Sequence, residues 1–597
     1  MRLTNSLPFI EAGRALLGHP QAVLSPADAT ASAPTVTVKN GTYEGVYSAQ
    51  YDQDYFLGMR YAQPPERFSV ARGLNTSWDG VHRVTEYPVH CHGYGEGWGQ
   101  HKHVQSEDCL YLNLVRPAGI NDTSGLPVAA WIHGGGLFMG GASSPLYNLS
   151  FIVEQSVALG TPAIGVSFNY RLSALGFLTG KEALREGATN LGFHDQRLAL
   201  RWINENIASF GGDPGKVTIF GESSGAESVA AQVFAYNGRD DGLFRAAIGE
   251  SGFGGPLDRF PGGLNATRRM QTAYNALVGN VTSCSNLVGS KKSLECLRKA
   301  PFKEINHALR VSNVRPWPPV LDGDFIADYP TNQITNGHFP KIPILIGTNT
   351  DEGTFFGTGK RPEGAGIDTD DEMRENIATI FGPQAEKYTG KSADELVDEL
   401  MELYPNDQRV GIPSLETWPH IIVPGDEYAK ELGAQYRRAG ALFGDHAMHF
   451  QRRRANKAWA KQGLPSYAYR FNISTNGQPP HVGVTHFQEV AFVFYNTNGD
   501  GYDVNPFGGD GTYPADAKAM AKTITTGWIN FFNTLDPNGK EGSRLFSGKE
   551  WPVYDLSDGP DGKGVVFSIN GTHIEVDDWR SGGMNWFADH SLTVFGN

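Results

Sequence analysis

What this sequence lacks narrows it first. None of its apolar runs approaches the roughly 20 residues that a bilayer-spanning helix requires, so no transmembrane segment is expected. Cysteine is scarce, at four in 597 residues. Positive charge is outweighed, with 50 Lys and Arg against 64 Asp and Glu, for a net charge of −14. That removes the basic footprint by which proteins hold nucleic acid or anionic lipid; an acidic balance of this size chiefly serves solubility. Internal repeats and low-complexity tracts are also missing. What is present is 40% hydrophobic residues, spread along the whole length and ample for a large core. The 73 Gly and 35 Pro then mark turns and long loops rather than disorder.

The four cysteines fall into two neighbouring pairs, Cys91 with Cys109 and Cys284 with Cys296. Four cysteines permit three connectivities, so this pairing rests on proximity. Eight N-x-S/T acceptors, at Asn40, Asn75, Asn121, Asn148, Asn265, Asn280, Asn472 and Asn570, suit an oxidising secretory route. The N-terminus fits that route imperfectly. Met1-Arg2 opens like a signal peptide and Ala31-Ser32-Ala33 resembles a cleavage site, but Pro8, Glu11 and Arg14 interrupt the apolar stretch. Residues 1–33 are read as a leader or flexible segment, atypical as a signal, and a secreted, extracellular protein is expected.

From residue 34 onward one domain is expected. Val36–Val46 carries Asn40-Gly41 between β-type runs, a hairpin signal. Val128–Ile132, Ala163–Phe168, Ala246–Gly249, Ile344–Gly347 and Tyr467–Phe471 read as buried strands. Gln196–Phe210 places Leu200, Ile203 and Ile207 on one helical face and stops at Gly211-Gly212; Ala515–Asn533 is a second long helix. Alternation of this kind argues for an α/β fold with a large, mostly parallel central sheet and helices on both faces. Residues 355–445, charge-rich and mainly helical in pattern, are expected to form an insertion over the sheet's carboxyl ends, the active-site edge.

The chemistry centres on Lys216–Ala230. A strand-like run, Lys216–Phe220, leads into Gly221-Glu222-Ser223-Ser224-Gly225 and then into a helix of small residues. This is G-x-S-x-G, the sharp turn that lifts a serine hydroxyl to the sheet edge. Chance alone supplies on the order of one such pentapeptide in so glycine-rich a chain, so partners are needed. An ester-cleaving serine requires a base, a group to orient that base, and donors for the oxyanion. Candidates follow in chain order: the carboxylates of Asn349-Thr350-Asp351-Glu352-Gly353 after a strand, then His486 in a later loop. Trp131-Ile132-His133-Gly134-Gly135-Gly136 offers backbone N–H groups unobstructed by a Cβ, and the N–H of Ser224 adds another at a helix N-terminus. A histidine acting as base must be neutral, so activity should fall on the acid side of neutrality.

Glu107–Asn113 (EDCLYLN) and Phe210–Gly225 (FGGDPGKVTIFGESSG) resemble the two signatures of the type-B carboxylesterase, cholinesterase and fungal lipase family. NYRLSALGF, TDEG, GVTHFQE and WINFFNTLDPN match its other landmarks, and the similarity runs from about Val36 to Trp551. The resemblance, to a fungal-type member, implies an α/β-hydrolase fold, a triad of Ser223, Glu352 and His486, and oxyanion donors at Gly135, Gly136 and Ser224. It implies the same two disulfides, no cofactor and a small-molecule ester substrate. No nucleic-acid partner or metal is expected, and the chain should be a monomer or weak dimer. The family usually has alanine after the nucleophile; the extra hydroxyl of Ser224 raises the question of acyl preference.

Competing readings stand beside these. Asp351 rivals Glu352, and His481 rivals His486, with Gly483 and Glu489 setting the register on His486. Glu222 either tunes the histidine or belongs to a buried hydrogen-bond network. Arg171 with Asp195, and Arg67 with Glu107, read as structural ion pairs. His90, His92, His101 and His103 are read as a solvated loop rather than a metal site. Only 17 residues separate Cys91 from Cys109, and Gly93, Gly95, Gly97, Gly99, Tyr94 and Trp98 lie between them. A loop this short suggests an open active-site mouth and soluble or bulky esters. A secreted lipase or sterol esterase is the alternative, and a non-catalytic cholinesterase-like binding protein a more distant one. Phe138, Phe355 and Phe356 are candidate pocket walls.

Overall fold

The structure, a computed structural model, describes residues 33–596 apart from 96–102, 255–262, 266, 312–316, 362–363, 509–515, 541–544 and 546–547. Residues 1–32, with nearly all of the expected leader, lie outside the described residues, as do Trp98, Gly97, Gly99 and His101.

Eleven strands form the central sheet: β1 (Val46–Ser48), β2 (Gln53–Arg60), β3 (Tyr111–Pro117), β4 (Leu126–Ile132), β5 (Ile164–Phe168), β6 (Gly212–Glu222), β7 (Ala246–Glu250), β8 (Ile344–Asn349), β9 (Ser466–Phe471), β10 (Lys563–Phe567) and β11 (His573–Val576). Across the sheet they run β11-β10-β9-β8-β7-β6-β4-β5-β3-β2-β1. From β10 to β5 all neighbours are parallel, while β11 and the β3-β2-β1 edge are antiparallel. The Asn40-Gly41 signal is a real hairpin, Thr35–Val38 against Gly41–Glu44, standing apart from the main sheet.

Parallel strands are covered on both faces, and alternation along β4 shows how. Val128, Ala130 and Ile132 enter one hydrophobic core and Ala129 and Trp131 the other. Helices α1 (Leu191–Asn206) and α2 (Ser224–Gly238) supply Leu200, Ile203, Val229 and Val233 to the first core. Helix α3 (Asp516–Thr534) supplies Ile524, Trp528 and Phe531 to the second. The expected helix over Gln196–Phe210 begins earlier, at Leu191, and its last turn tightens to 3-10 form over Ile207–Phe210. Between residues 355 and 445 lie helices Asp370–Ala378, Ala393–Leu403 and Tyr436–Gly444 with two shorter ones. Both cysteine pairs are bonded as disulfides, Cys91–Cys109 and Cys284–Cys296. Among the described residues no helix is long and apolar enough to cross a membrane.

Both expected ion pairs form. Arg67 meets Glu107 at 2.6 Å, and Arg171 meets the fully buried Asp195 through Nε and Nη2, both at 2.7 Å. Removing one partner of a buried pair strands the other without a counter-charge. Arg171→Ala is therefore expected to destabilise the fold by about 3–5 kcal/mol, read as a drop in the midpoint of denaturant unfolding.

Candidate active site

The elbow is built where β6 ends and α2 begins. Ser223 adopts φ 57° and ψ −128°, a region that non-glycine residues rarely occupy. Its N–H donates to the carbonyl of Glu250 at 2.9 Å, which ties the turn to β7. The flanking glycines permit the approach: a Cβ on Gly225 would stand 2.1 Å from the carbonyl oxygen of Ile132, and one on Gly221 2.6 Å from the same atom. Ser223 itself remains half-buried.

The candidate base and the candidate acid to orient it come from loops beyond β9 and β8. His486 Nδ1 donates to Glu352 Oε2 at 2.8 Å, and Glu352 Oε1 accepts the N–H of Asn349 at 2.8 Å. Glu352 is fully buried. Asp351 faces elsewhere and accepts the N–H of Val484 at 2.7 Å; burial pushes its carboxyl up to about 6, against the lowering effect of that hydrogen bond. His481 packs against Trp418, with ring centroids 5.9 Å apart, and takes no part in the constellation.

Nε2 of His486 lies 3.2 Å from Oε1 of Glu222, the residue before the nucleophile, without hydrogen-bond alignment. Among the described residues no hydrogen bond joins Nε2 to Ser223 Oγ. Such contacts are often loose without substrate and tighten in the reacting complex. Burial and the neighbouring Glu489, Glu352 and Glu250 raise the Glu222 carboxyl well above the usual range. Glu489, also buried, is pushed up to about 7, by burial first and then by Glu352.

On the opposite side of Ser223 lies the glycine loop. Gly134 packs against Ser223, a Cβ there reaching within 3.2 Å of the serine Cβ. Gly135 and Gly136 have φ of 105° and 64°, which turn the backbone so that, among the described residues, neither N–H donates to a protein acceptor. The hydroxyl of Ser224 accepts the N–H of Leu137 at 3.1 Å. It therefore braces the glycine loop. Tyr170 adds a second brace, donating to the carbonyl of His133 at 2.8 Å.

Phe355 and Phe356 pack on the His486 ring at 5.4 and 4.8 Å between centroids, and Phe355 is 42% exposed. Phe138 is half-buried, its ring close over Gly136. His90 stacks on His103 at 4.0 Å and contacts Ser143 Oγ at 2.6 Å, while His92 packs on Phe302. Among the described residues no group of His, Cys, Asp and Glu is placed to hold a metal ion. Asn349 went unassigned on sequence grounds, yet it holds two carboxylates, Glu352 by its N–H and Glu489 by its side chain at 2.5 Å. Its place three residues before Glu352 was the available signal.

Comparison with known proteins agrees with this geometry. The model of the carboxylesterase family matches residues 32–572. The chain is 31% identical to lipase 4 of Diutina rugosa, over 94% of this chain and 97% of that one. To secreted lipase 1 of Botryotinia fuckeliana it is 30% identical, over 89% of each. Among solved structures, Aspergillus niger EstA superposes with a TM-score of 0.74 at 26% identity, over 94% of this chain and 99% of that one. An α/β-hydrolase sheet, a serine at a G-x-S-x-G turn and this match lead to one conclusion: the chain belongs to the carboxylesterase family and is a serine carboxylic-ester hydrolase.

Proposed function

We propose that Ser223, His486 and Glu352 carry the reaction. His486 takes the proton of Ser223 Oγ as that oxygen bonds to the ester carbonyl carbon, and the N–H groups of Gly135, Gly136 and Ser224 receive the oxyanion. Protonated His486 then gives its proton to the departing alcohol as the carbon–oxygen bond breaks. Water repeats the cycle on the acyl-enzyme and releases the acid. The observation that carries this reading is the 2.8 Å hydrogen bond from His486 to a buried Glu352, set beside the Glu222–Ser223 elbow. The same reading takes 34–597 as one catalytic domain with 355–445 as its mainly helical insertion. In its support, Tyr436 from that stretch donates to the carbonyl of His481, in the histidine loop, at 3.0 Å.

The preferred substrates are soluble or bulky esters, in keeping with the exposure of Phe355 and the short Cys91–Cys109 loop. Action on lipid esters is the second reading, favoured by the names of the fungal relatives. The enzyme is secreted, as one relative's name has it, and acts as a monomer or weak dimer. Glycosylation falls on the exposed Asn75, Asn121, Asn280 and Asn570 rather than on Asn40, which is buried and donates to the carbonyl of Thr76 at 2.9 Å.

Ser223→Ala should lower kcat on a short-chain p-nitrophenyl ester by about a millionfold, and Glu352→Gln by about ten-thousandfold; undiminished turnover in either overturns the assignment. Ser224→Ala keeps the oxyanion N–H but frees Leu137, so kcat should fall about 2–10-fold with KM little changed, the equivalent of one hydrogen bond. Rates on a triglyceride should rise smoothly through its solubility limit. A sharp jump there would favour the lipid reading.

A further inference from the structure

Ester cleavage needs one carboxylate at the histidine, and Glu352 fills that place. Three more acids, Glu222, Glu250 and Glu489, are buried at the same carboxyl edge of the sheet, and two of them belong to an ordered row. On the last rung of the parallel strands Glu222 of β6 is in register with Glu250 of β7, Glu250 with Gly347 of β8, and Gly347 with Tyr469 of β9. In-register neighbours point to the same face about 4.8 Å apart, so the four make one line. Because Gly347 has no side chain, the Tyr469 ring lies across it; a Cβ there would stand 2.2 Å from that ring. Helix α3 covers the row and contributes one donor, Trp528 Nε1 to Glu250 Oε1 at 2.8 Å.

Beyond that the donors run out. Glu489 receives Asn349 Nδ2 at 2.5 Å and Ser251 Oγ at 3.3 Å. Among the described residues, Glu250 Oε2, Glu222 Oε1 and the Tyr469 hydroxyl have no hydrogen-bond partner, although all three side chains are buried. The titratable groups around the row are Glu227 from α2, Glu352, Glu489 and His486 from the two loops, and Tyr147 and Tyr502. No lysine or arginine bears on Glu250 among the described residues. Four ionised carboxylates would repel one another here with a single imidazole to balance them. A carboxyl that keeps its proton instead turns two orphaned acceptors into a donor and an acceptor.

Resting on the triad proposed above, we infer that Glu250 keeps a proton at working pH and shares it with Glu222 across the strand pair, leaving one negative charge beside Nε2 of His486. Glu250 touches no substrate. It is a positioning residue that keeps Glu222 anionic where the imidazolium forms. Burial, with Glu489 adding to it, pushes both carboxyls well above the usual range, in keeping with a retained proton.

Infrared spectroscopy of the full chain at neutral pH reads the proton directly, whether or not the protein turns over esters. A protonated-carboxyl band that moves on deuterium exchange is expected, and it should weaken in Glu250→Gln. An absent band, or one of unchanged intensity in the variant, overturns the proposal. Kinetics supply the second arm. Glu250→Gln keeps a neutral N–H donor, so kcat/KM should stay within about twofold and the acid limb of the pH profile within about 0.3 unit of the parent. Glu250→Leu removes the donor and leaves Glu222 to take up a proton itself. Then kcat should fall about tenfold at unchanged KM, with the acid limb moved about half a unit or more to lower pH. An acid limb displaced in Glu250→Gln would show a charged Glu250. One left in place in Glu250→Leu, with only the melting temperature lowered, would show a merely structural one; either result overturns the proposal.

Discussion

The active site depends on how closely two pieces of backbone can approach. The carbonyl of Ile132, at the end of β4, sits where a side chain on Gly221 or Gly225 would have to be. Three elements meet at that contact: the strand feeding the glycine loop, the strand feeding the nucleophile, and the helix that begins just after Ser223. The serine and the glycine-loop N–H groups proposed to receive the oxyanion are therefore placed by a single packing event, and neither can shift without the other. The unusual φ and ψ of Ser223 persist because the surroundings over-determine them, with the Glu250 carbonyl holding the turn from one side and α2 packing from the other.

Charge is distributed around that contact with equal economy. Carboxylates gather at the carboxyl ends of β6, β7 and β8, while Arg452, Arg453 and Arg580 are occupied in tying down the C-terminal segment. Asp577 takes Arg452, Arg453 and the Tyr554 hydroxyl, and Asp445 takes Arg580 and the Tyr404 hydroxyl. Trp579 lies under Arg453, Arg470 and Arg580. Had one of these cations stood beside Glu222 or Glu250, it would have neutralised the charge that the imidazolium needs. Keeping the positive charges paired at a distance leaves His486 as the group that the active-site acids can act on.

Much of this was legible in the sequence, for identifiable reasons. Ile344–Gly347 and Ala246–Gly249 are short apolar runs buried on both faces, and such strands declare themselves. The elbow, the glycine loop and the histidine loop were readable because close backbone approach restricts residue type at fixed spacing. What escaped was set by pairing between distant segments. β6 begins at Gly212, through a turn-like Asp213-Pro214-Gly215, because Gly212 pairs with Leu126 before the register shifts toward Val217. The direction of the Ser224 hydroxyl follows from Leu137, 87 residues away. The alignment of Glu222 with Glu250 is a matter of strand register, which no local pattern encodes.

The proposed base presents a different problem, since His486 sits on a loop with little regular structure and must still be held to a fraction of an ångström. Its neighbours in the chain are secured by the loop that carries the acid. Asp351 and Val484 exchange hydrogen bonds, N–H to carbonyl at 2.9 Å in one direction and N–H to carboxylate at 2.7 Å in the other. Thr354 lies 2.8 Å from both the Val482 carbonyl and the Thr485 hydroxyl. Gly483, at φ 61°, presses against the Asp351 carboxylate so closely that a Cβ would stand 2.3 Å from it. Two adjacent acids thus divide one task. Asp351 binds the backbone of the histidine loop and fixes its path, so that Glu352, one residue on, meets the imidazole itself. An acid that only met the ring would leave the ring free to swing with its loop; an acid that only held the loop would leave the imidazolium without a counter-charge.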